Sequence, residues 1–487
     1  MKLNRVNSPR HQQGVVLIIM FTILIIAGMA LVISGLNQGS SRLKNQRQTS
    51  EALAKAKATL LSRAIYLGYK DNNDPGYYSL PCPDRSVNPI AEGGADSSCG
   101  GAHATTIGRL PWRSLGLPPI FDGNGECLWY VLAGNHNNSK INNNNTLFNR
   151  DTNGQLEIRN IANQILAGDQ PENRAIAAII APGDAIPGQS RNALSSGVDH
   201  CGGNYNASNY LDTANGINNA TPSAVANAVT KLVTTHKPEE SFNDQIIWIT
   251  RQELADAFTE RATYPDKNGR TFNDKIDNLM VGVAACLKTY ADADPQGLHR
   301  LPWAAPIALN NYSQERDYDD QSNTHFGRLP YSTAASRIDS GGNLLSELFL
   351  GCITPNSEIE NYHRNWKDHL FYVVAGSHTP DQTPPPNCST GNCLTANGNS
   401  GQQYAAIILF AERRVSGNTR NAPQPSSDTD TKRLLSSYLE GVNATNFPDA
   451  GGSGDYQTTG GTGFNDRLYC ISSSDLIMGN PMINRCP

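Results

Sequence analysis

Residues 15–33 (VVLIIMFTILIIAGMALVI) are an unbroken apolar run without a charge. As a helix the run is roughly 29 Å long, close to the hydrocarbon thickness of a bilayer. Residues 1–14 ahead of it carry Lys2, Arg5 and Arg10 and no acid. A secretory signal has a shorter apolar core and a small-residue cleavage site after it. No such site is clear at 34–41, so the run reads as a transmembrane helix. Between residues 46 and 67 there is no Pro or Gly, and Leu53, Leu60, Ala64 and Leu67 make an apolar stripe at helical spacing. Gly68 and the Asp71-Asn72-Asn73-Asp74-Pro75-Gly76 stretch end it. The pattern predicts one continuous transmembrane and amphipathic rod over 15–68, about 80 Å long.

Beyond it, short apolar runs at 127–133, 175–181, 245–250, 370–375 and 405–410 lie between Gly-, Pro- and Asn-rich turns and read as strands. Thr250-x-x-Glu253 and Thr271-x-x-Asp274 are capping boxes. The second opens a helix with Phe272, Ile276, Leu279, Val283, Leu287 and Tyr290 on one face. Helices packed on a mostly antiparallel sheet make the expected class α+β.

The exported part is duplicated. Leu80-Pro81 returns as Leu301-Pro302, Gly108-Arg109-Leu110-Pro111-Trp112 as Gly327-Arg328-Leu329-Pro330-Tyr331, and Leu128-Trp129-Tyr130-Val131 as Leu370-Phe371-Tyr372-Val373. Ala177-Ala178-Ile179-Ile180 returns as Ala405-Ala406-Ile407-Ile408, Tyr210-Leu211-Asp212 as Tyr438-Leu439-Glu440, and Phe242-Asn243-Asp244 as Phe464-Asn465-Asp466. The order is kept and the offsets stay between 219 and 242. The resulting division is a leader (1–14), the rod (15–68), a first α+β unit (69–250), a helical connector (251–295) and a second α+β unit (296–487).

Composition narrows the class. The formal charge of −5 and the 17% of charged residues leave no basic stripe for nucleic acid. Ten cysteines suit an oxidising compartment. They outweigh the positives that follow the apolar run and put the C-terminal part on the outer side of a single-pass membrane protein.

The basic leader ending at Gly14, the apolar run and the amphipathic helix together resemble the type IV pilin and type II secretion pseudopilin superfamily. The resemblance implies cleavage by a prepilin peptidase between Gly14 and Val15, N-methylation of Val15, partnership with other pilin subunits through the N-terminal helix, and a single pass of the inner membrane with the C-terminal part in the periplasm. The family's usual glutamate at the fifth mature position is here Ile19. In the family that carboxylate pairs with the N-terminal amine of the subunit nearer the tip, so Ile19 implies a large minor or tip subunit. The alternative is a permanently anchored periplasmic or surface binding or adhesion protein without filament assembly.

For the cysteines, a sequential pairing puts Cys388 with Cys393 and Cys470 with Cys486. Cys82 with Cys99, Cys127 with Cys201 and Cys286 with Cys352 complete it, with other connectivities open. No Cys-x₂-Cys pair or ligand-spaced His supports zinc. Some pseudopilins bind calcium, and Asp122-x-Asn124-x-Glu126 sets oxygen donors at alternate positions. The glycines of an EF-hand are out of place, so a turn is the default reading there and at 151–154 and 266–269. His363 and His369 flank Trp366 and Asp368, but the first copy has no matching His, and no nucleophile or phosphate-loop motif occurs. The expectation is a structural, non-enzymatic protein without a cofactor.

Overall fold

The apolar stripe of the first helix is its buried face. In α1 (residues 41–64) Ala52, Leu53, Ala56, Leu60 and Ala64 are buried, whereas Arg42, Lys44, Arg47, Glu51 and Lys55 are exposed. The computed structural model describes residues 41–64, 79–85, 92–99, 103–136, 149–192, 200–261, 270–336, 347–349, 352–355, 357–382, 388, 392–413, 431–445, 454–460, 463–478 and 484–487.

The first sheet contains β1 (Thr106–Arg109), β2 (Trp129–Leu132), β3 (Leu156–Asn160), β4 (Ile165–Ala167) and β5 (Ala175–Ala181). After a small hairpin, β6 (Thr213–Ala214) with β7 (Ile217–Asn218), two more strands join it. These are β8 (Thr230–Thr234), parallel to β3, and β9 (Gln245–Thr250), antiparallel to β5. Helices α2 (Arg251–Arg261) and α3 (Phe272–Asp292) follow. Each opens with a reciprocal cap: Glu253 N–H donates to Thr250 and Asp274 N–H to Thr271, while each acid accepts the backbone N–H of its threonine.

The second sheet is built from β10 (Phe326–Arg328), β11 (Leu370–Val374), β13 (Tyr404–Phe410), β15 (Arg467–Ser472) and β16 (Asn484–Arg485), all antiparallel. Helix α4 (Glu358–Trp366) precedes β11, and β12 (Thr395–Ala396) pairs in parallel with β14 (Asp455–Tyr456). The short helices α5 (Gly441–Thr445) and α6 (Ser473–Met478) complete the unit.

The two copies share register as well as words. Gly108 faces Tyr130 as Gly327 faces Tyr372, Tyr130 faces Ile179 as Tyr372 faces Ile408, and Ile179 faces Ile247 as Ile408 faces Tyr469. Leu80 N–H donates to His136 O at 2.6 Å, and Leu301 N–H to His378 O at 2.7 Å.

Side chains alternate between two cores. Tyr130, Leu132, Ala177 and Ile179 of the first sheet share one continuous cluster with Tyr372, Val374, Ala406 and Ile408 of the second, with the stripe of α1 and with Ile276, Leu279, Val283 and Leu287 of α3. The opposite faces are covered separately. Trp129, Val131 and Ile180 pack with Tyr210 and Leu211, whereas Phe371, Val373 and Ile407 pack with Tyr438 and Leu439. Burial on both sides is why these strands are apolar without alternation.

Two expectations are corrected. No helix among the described residues is long and apolar enough to cross a membrane. The physical reason is charge: α1 bears the ionised residues named above, and α3, 21 residues long, carries Asp274, Lys275, Asp277, Lys288 and Asp292. The expected transmembrane rod and the single-pass inner-membrane localisation drawn from it are therefore not retained. Residues 15–40 and Leu67 lie outside the described residues. The class is α+β overall, but with mixed pairing, because β8 joins β3 in parallel.

Gly108 and Gly327 leave room for a neighbouring backbone: a Cβ would meet Asp84 O at 2.4 Å and Ala305 O at 1.9 Å. Gly327→Ala is expected to destabilise by about 1–3 kcal/mol or more, since a carbonyl in a paired strand cannot yield as a flexible side chain does. Urea unfolding of the variant against the parent checks this.

Candidate functional site

A buried polar cluster lies where the units meet. The loop before β3 supplies Asn149 and Asp151; the 3₁₀ turn after α4, Lys367–His369, supplies Asp368 and His369. A second 3₁₀ turn, Thr431–Arg433, supplies Lys432, with Tyr438 a few residues on. Lys432 Nζ donates to Asp368 Oδ2, and to Tyr438 OH at 2.9 Å. Asp151 Oδ2 lies 3.7 Å from that ammonium, 3.5 Å from Tyr438 OH and 3.4 Å from His369 Nε2. Asn149 Nδ2 ties the units further, donating to Asn365 O at 2.7 Å and Asp368 Oδ1 at 2.8 Å.

Asp151, Asp368, His369 and Lys432 are at most 1% exposed. Burial alone would push the Asp368 carboxyl up; the Lys432 ammonium reverses that and holds it below the ordinary carboxylate range. Burial pulls Lys432 down, and Asp368 carries it above the ordinary lysine value. Metal-ligating atoms of Asp151, Asp368 and His369 lie within 4.8 Å of one another. The Lys432 ammonium already lies between the two carboxylates and offsets one of their two charges.

Each unit also buries the arginine of its Gly-Arg-Leu-Pro motif in an aromatic cage. The Arg109 guanidinium lies 4.9 Å from the Tyr205 ring and 5.4 Å from Tyr210, and donates to Gly202 O and Asn204 O. The Arg328 guanidinium lies 4.2 Å from Phe371 and 4.7 Å from Tyr438, and donates to Asp368 O and Lys432 O. Ring faces and carbonyls thus hold these cations in place of carboxylates. His136 and His378 are a further duplicated pair. Burial, with Arg251 adding to it, pulls His136 down to about 3; burial pulls His378 down to about 4.

Of the residues singled out in the sequence, Gly14, Val15 and Ile19 lie outside the described residues. The ten cysteines form five disulfides: Cys82–Cys99, Cys127–Cys201, Cys286–Cys352, Cys388–Cys393 and Cys470–Cys486. His378 sits beside Cys388 and Cys393, but both sulfurs are spent in their bridge. Asp122, Asn124 and Glu126 point to different partners. Asp122 accepts the N–H groups of Asn124, Glu126 and Gly183; Asn124 accepts from Asn45 of α1; Glu126 pairs with Arg191 at 3.1 Å. This turn docks α1: Gly123 N–H donates to Thr49 Oγ1, and a Cβ on Gly123 would meet Asn45 O at 2.0 Å. His363 faces Glu315 at 3.4 Å, away from the Asp151 cluster that His369 joins.

The sequence reading missed Lys432, Asp151 as its partner, and the His136–His378 pair. Only the last had a sequence signal, Ala133-Gly134-Asn135-His136 against Ala375-Gly376-Ser377-His378. An open groove of 1040 Å³ lies between the first turns of α1 and the loops at 183–187 and 238–245, bordered by Arg42, Thr49, Asp184, Glu239 and Glu240. Its lining holds carboxylates and amides but no imidazole or thiol. Comparison with family models, curated proteins and solved structures finds no match for this chain.

Two outcomes follow from this chemistry. Lys432→Met leaves two buried carboxylates without their cation and is expected to cost about 3–5 kcal/mol, part of it recovered when Asp368→Asn is added; a double-mutant cycle by urea unfolding measures both. The lowered histidines bind protons in the unfolded chain that the folded chain refuses. Stability therefore falls as pH drops from about 6.5 toward 4, approaching about 1.4 kcal/mol per pH unit for each histidine. His378→Asn is expected to flatten that acid limb in pH-dependent unfolding.

Proposed function

We propose that the chain is a structural assembly subunit of a filament of the type IV pilin or type II secretion pseudopilin kind, in a minor, tip-type position. The observation that carries the reading is the seating of α1. This helix follows the 15–33 apolar segment in the chain, its first turns are bonded to the Asp122 loop, and its stripe enters the core shared by both units. A pull that reaches α1 would then be carried into the core that both units share. Neighbouring subunits would take up the apolar segment, and Ile19 fits a position with no subunit ahead of it.

The charge distribution favours a mechanical role. The strongest buried charges neutralise one another inside the fold, and five disulfides stiffen it.

Intact-mass and N-terminal analysis of the protein from its native cell tests the reading. A mature chain starting at N-methylated Val15 is expected, with Gly14→Ala blocking the cut. A wild-type chain that retains Met1 overturns it.

A further inference from the structure

The repeated Tyr-Leu-acid and Phe-Asn-Asp words meet in space, in both units, as interlocked carboxyl groups. In the first, Asp244 Oδ2 accepts Asp212 N–H at 2.8 Å and Asn219 Nδ2–H at 2.8 Å. In return Asp212 Oδ2 accepts Asn243 N–H at 2.7 Å. In the second, Asp466 Oδ2 accepts Glu440 N–H at 2.9 Å and Asn443 Nδ2–H at 3.1 Å, and Glu440 Oε2 accepts the N–H groups of Asn465 and Asp466 at 3.0 and 3.1 Å. Each acid caps the backbone of the segment bearing the other. Asn219 and Asn443 clamp the arrangement from the side, each exchanging two hydrogen bonds with one backbone residue, Val233 or Gln457.

Among the described residues this allotment leaves buried oxygens without a donor: Asp244 Oδ1 in the first unit, and Asp466 Oδ1 with Glu440 Oε1 in the second. A carboxylate only accepts, so two ionised acids would leave these atoms unsatisfied beside a like charge. One proton changes that, because a protonated carboxyl donates. We propose that each unit is held shut by a carboxyl–carboxylate latch containing one retained proton, Asp212–Asp244 in the first unit and Glu440–Asp466 in the second, and that alkaline removal of those protons opens the Tyr-Leu-acid segments.

The surroundings agree. Burial, then the neighbouring Asp212, pushes Asp244 well up; burial, then the neighbouring Glu440, does the same to Asp466. Arg191 opposes this in the first unit by favouring the ionised forms of Asp212 and Asp244, while its guanidinium is engaged by Glu126 and the carbonyls of Gly183 and Asn209. Among the described residues no Lys, Arg or His forms an ion pair with Glu440 or Asp466. Opening has a defined consequence: the segments carry Tyr210 and Tyr438, which complete the two arginine cages, and Tyr438 also abuts Lys432 at the junction.

The sign is fixed by linkage. The folded chain keeps protons that the unfolded chain releases above the ordinary carboxylate range, so stability falls as pH rises through the raised values. Urea unfolding of the full chain from pH 7 to 10, above the range in which His136 and His378 shape stability, is expected to show a midpoint that falls in the parent and falls far less in Asp244→Asn/Asp466→Asn, where each amide imitates the protonated acid. A parent midpoint that does not fall, or a double variant that keeps the slope, overturns the proposal. If the double variant does not fold, infrared spectroscopy of the ¹³C-aspartate-labelled parent decides. A protonated-acid carbonyl band that persists at pH 7 and vanishes on unfolding supports the latch, and its absence at pH 7 overturns it.

Discussion

The central strands of both sheets are covered on both faces, and most of the molecule's other features answer to that. The inner faces meet in one core with α1 and α3, while loops cover the outer faces. The central strands β2, β5, β11 and β13 are buried along their whole length and shed no polar groups to solvent. Polar groups drawn inside must be matched there, at a cost of several kcal/mol for each unmatched ion. The chain does this in compact places, among them two arginine cages, two interlocked acid pairs, one ammonium between carboxylates and the Arg300–Asp294 pair.

These places are connected. Arg328 donates to the backbone of Asp368 and of Lys432, so the cage of the second unit also braces the junction. Tyr438 serves both, one ring face toward Arg328 and the hydroxyl toward Lys432. The first unit reaches this hub through Asn149, Asp151 and Arg251, whose Nη1 donates to Asp151 O at 2.9 Å. The copies therefore resemble each other in their cages and strands but differ at the seam. Duplication supplied the parts, and the seam is what joined them.

Much of the fold was legible because the signals were local. The α1 stripe, the capping boxes and the strand runs each sit within a dozen residues, and the echoed words exposed the duplication. The parallel pairing of β8 with β3 was not legible, since a short strand carries no mark of its neighbour. Nor was the junction. Asp151 and Lys432 are ordinary surface residues by type, and only the folded chain brings them together. The acid pairs lay between: their words were recognised as repeats, but nothing in either word says that two carboxyl groups share one interior. The apolar run at 15–33 spoke most loudly, yet the helices that the structure describes are amphipathic or charged rather than spanning.

The distribution of the disulfides has a mechanical corollary. All five close within one half of the molecule, two in the first and three in the second, and none bridges the halves. A load that unravels either half soon meets a covalent loop, whereas a load that parts the halves meets only noncovalent contacts. Under tension the seam is the fuse, and each half comes away still closed.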